Sequence, residues 1–378
     1  MKLIIERAAL LKSLGHVQNV VERRNTIPIL SNVKMNAADG QLHLNATDMD
    51  LEIVDATPAQ VAVPGETTAP AHTLYEIVRK LPDGADVELD ATSGDGQMVL
   101  RSGRSRFSLT CLPAGEFPVM AGGDFPVSFD LATAALKDLI DKTRFAISTE
   151  ETRYYLNGIY LHAAEQNDQD GQPGEPVLRA VATDGHRLAS AETALPIGAE
   201  TMPGVIVPRK TVQELHKLIE ETEAEVRVSL SDAKIQFSFD GVVLTSKLID
   251  GTFPDYERVI PEGNDKEMKV ARKAFGDAVD RVSAISSEKS RAVKLTLDKG
   301  SLVLSASSPE SGSATDELET DYAGERLEIG FNSAYLLEIM RQVDGETITM
   351  LLSDGASPTI IREDGDDSAL YVLMPMRV

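Results

Sequence analysis

Apolar positions along the chain show the same order of elements three times. The stretches APAHTLYEIVRKLPDGADVEL (69–89), VPRKTVQELHKLIEETEAEVRV (207–228) and GFNSAYLLEIMRQVDGETITM (330–350) each open near a Pro or Asn. Helical spacing follows, with Leu74, Ile77 and Val78, then Leu215, Leu218 and Ile219, then Leu336, Ile339 and Met340 on one face. Each breaks at a short polar turn and continues as an alternating strand. A second set, LHLNATD (42–48), LRAVATD (178–184) and LVLSASS (302–308), predicts strands that end at a small polar corner. A third set is CLPAGEFP (111–118), KLIDGTFP (247–254) and the terminal LMPMRV (373–378). Each unit also begins with a strand feeding an amphipathic helix, in KLIIERAALLKSL, VSFDLATAALKDLI and MKVARKAFGDAV. Three sets in one order predict three diverged α+β domains, each with two helices and several strands. Turn formers in GGDFP (122–126) and EGNDKE (262–267) place them at 1–124, 125–263 and 264–378.

Composition narrows the class. A chain of 378 residues that is 42% hydrophobic is expected to form a multi-domain globular protein. The one cysteine, Cys111, excludes an intramolecular disulfide or a Cys-based zinc cluster and suits a reducing cytoplasm. Glu6 and Arg7 interrupt what would be the core of a secretion signal, and no apolar run has the length of a membrane span. A cytoplasmic protein without membrane contact is expected. The net charge of −23 taken alone argues against nucleic acid. Its distribution changes that picture. The segments 1–24, 70–80, 130–144, 207–221, 269–291 and 331–344 carry a formal +6 over 102 residues, leaving −29 on the other 276. Mildly basic helices in an acidic protein suit a surface that faces a polyanion without gripping it, although helices richer in Lys for no such reason would look the same.

The search for chemistry finds no phosphate-cradling glycine motif, HExxH pattern or paired cysteines, so no cofactor or metal is expected. The acidic loop QNDQDGQPGEPV (166–177) fails as a calcium loop, because Gln166 and Val177 fill positions that need carboxylates. TDMD (47–50) reads as a strand end with a capping Asp, and REDGDDS (362–368) as a solvated hairpin loop. ATDGHRLAS (182–190) remains, placing Asp184, His186 and Arg187 within four positions. It reads as a turn, as a binding site or, with no recognisable nucleophile nearby, as an acid–base catalyst. The first repeat has ATDMD at this corner, without His or Arg, so the middle copy carries something extra.

RSGRSRFSL (101–109), RYYLNGIY (153–160), ATDGHRLA, VIVPRK (205–210), TSKLIDGTFPDY (245–256) and YVLMPMR (371–377) run in order through all three repeats. Together they resemble the bacterial DNA polymerase III beta-subunit family, the sliding clamps. The resemblance implies a head-to-tail homodimeric ring of three clamp domains per chain, with helices lining the hole and sheet outside. It implies a non-catalytic processivity factor that encircles double-stranded DNA without reading sequence. Such a ring tethers the polymerase III catalytic subunit. The clamp loader, other polymerases and repair proteins dock through short Gln-Leu-x-Leu-Phe-like motifs.

Carried over residue by residue, the implied peptide pocket is Leu156, Thr183, Gly185, His186, Arg187, Leu188, Pro254, Val259, Val372, Met374, Pro375, Met376 and Arg377. Leu, Pro and Met offer an adaptable apolar slot, and His186 and Arg187 are expected to supply polar edges. The implied DNA contacts are Arg24, His72, Glu150, Arg153, Tyr154, Tyr155, Arg209 and Lys210. The tyrosines read equally as stacking platforms for a single strand or as a half-buried aromatic strand. His72 replaces a common Arg, and Glu150, in STEET (148–152), is expected to repel phosphate. The ring-closing edge is expected from Arg104, Arg106, Phe107 and Leu109, meeting Ala284, Ile285, Glu310 and Asp316. PESGSATDEL (309–318) is thin in acids, so a salt-tolerant but weaker closure is expected. Two rivals stay open: an enzyme using Asp184, His186 and Arg187, and a monomeric peptide-binding scaffold.

Overall fold

The computed structural model describes residues 1–120, 122–167, 173–286 and 291–377, so the centre of the acidic loop once weighed for calcium lies outside the described residues. Among the described residues six α-helices stand where the apolar spacing predicts them: α1 (Arg7–Gln18), α2 (Ala71–Arg79), α3 (Thr133–Arg144), α4 (Arg209–Ile219), α5 (Arg272–Ser283) and α6 (Ser333–Met340). Asn332 caps α6 by accepting the Ala334 N–H at 3.0 Å, and proline precedes α2 and α4. The face of α5 shows why it folds: Phe275, Ala278, Val279 and Val282 are buried at i, i+3, i+4 and i+7. None of the helices among the described residues is long and apolar enough to cross a membrane.

Two compact units form, and the central repeat contributes strands to both. The first comprises Met1–Ala134, Ile197–Met202 and Lys210–Leu248, the second Ala135–Pro196, Pro203–Arg209 and Ile249–Val378. In the first, an eight-stranded antiparallel sheet runs without interruption from first-repeat strands into central-repeat strands. The joint pairs Leu51–Pro58 with Val242–Lys247, in register Ile53 to Leu244. In the second, a nine-stranded antiparallel sheet is joined in the same way, Arg187–Ala194 pairing with Ala369–Leu373 in register Leu188 to Val372. Each unit keeps one smaller sheet. The five-stranded one ends on Ser105–Thr110, and the four-stranded one ends on Gly312–Glu319.

Candidate functional site

The polar corner at Thr183–Arg187 is first of all a turn. The Thr183 hydroxyl donates to the Arg187 carbonyl (2.7 Å) and accepts the Gly185 N–H (3.1 Å). Oδ1 of Asp184 accepts the N–H groups of His186 (2.9 Å) and Arg187 (3.1 Å). Two features favour glycine at 185. Its φ is +86°, and a Cβ there would lie 2.6 Å from Nη1 of Arg153. The first-repeat corner repeats all four bonds with Thr47, Met49, Asp48, Asp50 and Leu51, and Met49 holds the same left-handed backbone at φ +78°.

Arg187 is not the polar edge of a groove. It is 8% exposed, and its guanidinium donates to Oδ2 of Asp184 (3.1 Å), to Glu338 and to the Phe145 carbonyl (2.6 Å). It also lies against the Tyr335 ring (4.3 Å to the centroid) and the Phe145 ring (5.0 Å). Asp184 is equally committed, with three donors already on its carboxylate. An acid–base pair built on these two groups therefore has neither a free proton carrier nor room to act. His186 is exposed, and its carbonyl accepts the Met374 N–H at 2.9 Å, which ties the C-terminal segment to the corner.

Beside this corner lies an apolar cluster. Leu156, Val181, Leu188, Ile206, Phe253, Tyr256 and Val372 are buried together, with Tyr155 and Ile260 packed against them. Around it Val259 (50% exposed) and Met374 (42%) leave large apolar side chains open, while Pro254, Gly185 and Arg377 are exposed and Thr183, Pro375 and Met376 half-buried. Of the carried-over residues, Leu156, Leu188 and Val372 thus share one buried apolar cluster, while Met376 bridges to Gly330. Sequence reasoning passed over Phe253, Tyr256, Tyr335 and Phe145. The first two stand inside the quoted TSKLIDGTFPDY, where the Phe–x–x–Tyr spacing was the available signal.

The carried-over DNA contacts divide. Arg24 and Arg209 are exposed, and Tyr154 is 54% exposed, edge-on to Tyr155 at 5.7 Å. The tyrosines sit in a 3-10 turn, Glu151–Leu156, not in a strand. His72 instead joins α2 to the end of α1, with its ring nitrogens on Gln18 (3.0 Å) and the Val21 carbonyl (2.9 Å). Lys210 is held by Asp48 (2.6 Å), Glu22 (2.7 Å) and the Val20 carbonyl (3.3 Å), so its charge is already answered. Burial pulls its pKa down, but the hydrogen bonds and charges of Asp48 and Glu22 outweigh that and leave it raised. Glu150 does not stand as a bare repelling charge, because it accepts Nε (2.8 Å) and Nη2 (3.1 Å) of Arg153 as a fork.

At the carried-over interface, Arg104 and Arg106 are exposed on or beside the edge strand Ser105–Thr110, with Phe107 half-buried and Leu109 buried. On the other side Ala284 and Glu310 are exposed and Ile285 half-buried. Asp316 is engaged within its own chain by Arg281 at 2.7 Å, which removes it from the acids open to a partner, whereas Glu317 and Glu319 on the same strand are exposed.

Comparison with known proteins gives one answer. Models of the DNA polymerase III beta subunit match in succession: the N-terminal domain at 1–121, the central domain at 130–255 and the C-terminal domain at 257–377. A beta sliding clamp of Caulobacter vibrioides is 54% identical over the whole of both chains, and that of Escherichia coli K12 is 39% identical over the whole of both. Among solved structures, a Bartonella birtlesii sliding clamp bound to griselimycin matches with a TM-score of 0.95 at 50% identity. A Caulobacter crescentus clamp matches with 0.95 at 55%, each covering all of both chains.

Proposed function

The chain belongs to the DNA polymerase III beta-subunit family, and from that premise we propose how it holds DNA and its partners. It is a DNA sliding clamp, a non-catalytic processivity factor of replication. Two copies close head to tail, the strand Ser105–Thr110 of one copy adding to Gly312–Glu319 of the next. The observation that carries this is a pair of sheet edges with opposite charge. Arg104 and Arg106 are exposed at one, and Glu310, Glu317 and Glu319 at the other. Joining them makes a nine-stranded sheet, the size of the large sheet already present in the second unit. A heterologous contact that closes after two copies gives a ring instead of a filament.

DNA is held by topology. Arg24, Arg209 and Tyr154 are exposed for loose, sequence-blind contact, and tight phosphate grips would oppose sliding. The apolar cluster beside the Thr183–Arg187 corner receives short peptide motifs of the polymerase III catalytic subunit, the clamp loader and repair proteins. Its Leu, Val, Ile and aromatic composition supports that reading over catalysis. A cytoplasmic location fits replication and the single cysteine.

The test is retention on DNA. Clamp placed by a clamp loader on nicked circular DNA is expected to stay bound through gel filtration and to run off once the circle is cut. Equal retention on circular and linear DNA would mean contact binding, and failure to dimerise would favour the monomeric scaffold.

A further inference from the structure

The segment that carries Pro254 and Val259 at the rim of the cluster is held from behind by a hydrogen-bond chain in which each donor and acceptor is fixed. Tyr256 is buried in the cluster with Leu156, Leu188 and Val372. Its hydroxyl lies 3.1 Å from Nε2 of His162, on the strand Gly158–Asn167, and 3.1 Å from Nη1 of Arg179, on Pro173–Thr183. Arginine only donates, so an Arg179 N–H donates a hydrogen bond to the Tyr256 oxygen. Nδ1 of His162 lies 3.0 Å from the Ala163 carbonyl and must therefore carry hydrogen. Nε2 is then an acceptor, and the Tyr256 hydroxyl donates to it. A neutral imidazole is the one state that completes this order.

The rest of the surroundings supports the chain. Arg179 is itself fixed by Glu192 (3.0 Å), the Glu165 carbonyl (3.1 Å) and Glu257 (3.4 Å). Tyr160 stacks on His162 (4.5 Å) and on Phe253 (4.9 Å), so a run of rings reaches the same wall segment. The charged groups acting on the imidazole are Arg179 and Glu257; Glu192 acts through Arg179, and Tyr160 and Tyr256 are the titratable rings against it. Burial lowers the His162 pKa, the Ala163 carbonyl works against this, Arg179 lowers it further and Glu257 raises it, leaving it below the usual imidazole value.

We propose that His162 and Arg179 are positioning residues for the peptide pocket, fixing residues 253–259 through Tyr256 in the geometry that receives a peptide's apolar side chain. The inference rests on the reading of this site as a peptide pocket. It also makes the pocket acid-sensitive. A proton on Nε2 turns the acceptor into a donor, leaves the Tyr256 hydroxyl hydrogen without its partner and sets two cations side by side.

The test is fluorescence anisotropy of a labelled Gln-Leu-x-Leu-Phe-type peptide with no group titrating near neutrality, against the full chain. His162→Ala and Tyr256→Phe are each expected to weaken binding about fivefold, mainly by faster dissociation, since one hydrogen bond is worth about 1 kcal/mol. His162→Gln, whose amide oxygen replaces Nε2 as acceptor, is expected to stay within about twofold of wild type. Acidification from about pH 7.5 to about pH 5.5 is expected to weaken wild type more than His162→Gln. Wild-type affinity in His162→Ala and Tyr256→Phe, or the same acid loss in His162→Gln, would overturn the proposal while leaving the pocket intact. Wild type that binds no peptide at all would overturn the pocket and this inference with it.

Discussion

The corners at Thr47–Leu51 and Thr183–Arg187 share four hydrogen bonds and a left-handed residue, yet they lead to different surfaces. The difference begins one residue later. In the first unit that residue is Glu52, which pairs across to Thr245, is 7% exposed and accepts from Asn45 (3.1 Å) and from the Met120 N–H (3.2 Å). The end of the first repeat, at Met120, is thereby fastened to the strand that leaves the corner. In the second unit the counterpart is Leu188, paired across to Val372 and buried in an apolar cluster whose rim stays open. Turn chemistry is thus a scaffold common to both copies. What lies after the turn decides whether the place is sealed or left with an open apolar rim.

The sharpest way to break this contrast is to move the sealing residue. Leu188→Glu buries a carboxylate without the donors that Glu52 enjoys. We expect a loss of about 3 kcal/mol or more in urea denaturation and peptide binding weakened by about 100-fold or more. Full peptide affinity in this variant would show that the cluster is not the pocket floor. Next in size is Arg187→Met, which strips donors from Asp184, Glu338 and the Phe145 carbonyl. Glu338 is partly exposed, so the expected destabilisation is about 2 kcal/mol and not the full penalty of a buried pair. A neutral effect on stability with lost peptide binding would return Arg187 to the groove edge.

Smaller effects sharpen the backbone side of the comparison. Gly185→Ala is expected to cost about 1 kcal/mol, chiefly from positive φ, since the Arg153 guanidinium it would meet ends a flexible side chain that can move aside. Met49→Gly, at the matching φ, is expected to change stability by less than about 1 kcal/mol, since relief of strain is offset by chain entropy. Equal costs at both sites would mean that the corners are not conformational equivalents.

The smallest effects are in pH, where one histidine in each unit responds with opposite sign. His16 lies between Asp55 (2.7 Å) and Glu221 (3.2 Å). Burial lowers its pKa, but Asp55 and then Glu221 raise it by more, to a net value above the usual 6.5. Its contribution to stability is full below about pH 6.5 and is lost as pH rises through the raised folded value. His162, with its lowered pKa, loses stability as pH falls below about 6.5, where the unfolded chain takes the proton first. Denaturation midpoints followed across this range in His16→Gln and His162→Gln are expected to flatten opposite limbs of the wild-type curve. Flattening of the same limb by both would refute the assignment.

Much of the scaffold is legible in the sequence because helices and half-buried strands announce themselves by period. The face of Leu74, Ile77 and Val78 marks α2, and LHLNATD marks a strand whose Leu42, Leu44 and Ala46 are buried. Period says nothing of partners. That Leu51–Pro58 pairs with Val242–Lys247 follows from contacts almost 200 residues apart, which no local pattern encodes. The site shows the same division. Leu156, Leu188 and Val372 come together as the family resemblance implies, being apolar and strand- or turn-borne. Charged residues misled wherever a distant partner claimed them: Lys210 by Glu22 and Asp48, Arg187 by Glu338, and Asp316 by Arg281. The Glu150–Arg153 fork follows no helical period either, since Glu150 is extended (φ −77°, ψ 121°) and Arg153 leaves the helical region (φ −110°, ψ 50°).

The central proposal, that the apolar cluster beside the Thr183–Arg187 corner receives a peptide, is tested most directly by one titration. A labelled Gln-Leu-x-Leu-Phe-type peptide is followed by anisotropy against the full chain and against a folded variant ending at Leu373. Binding in the micromolar range, about 8 kcal/mol, that disappears in the truncated chain is the expected result. Undiminished binding to the truncated chain, or none to either, would contradict it.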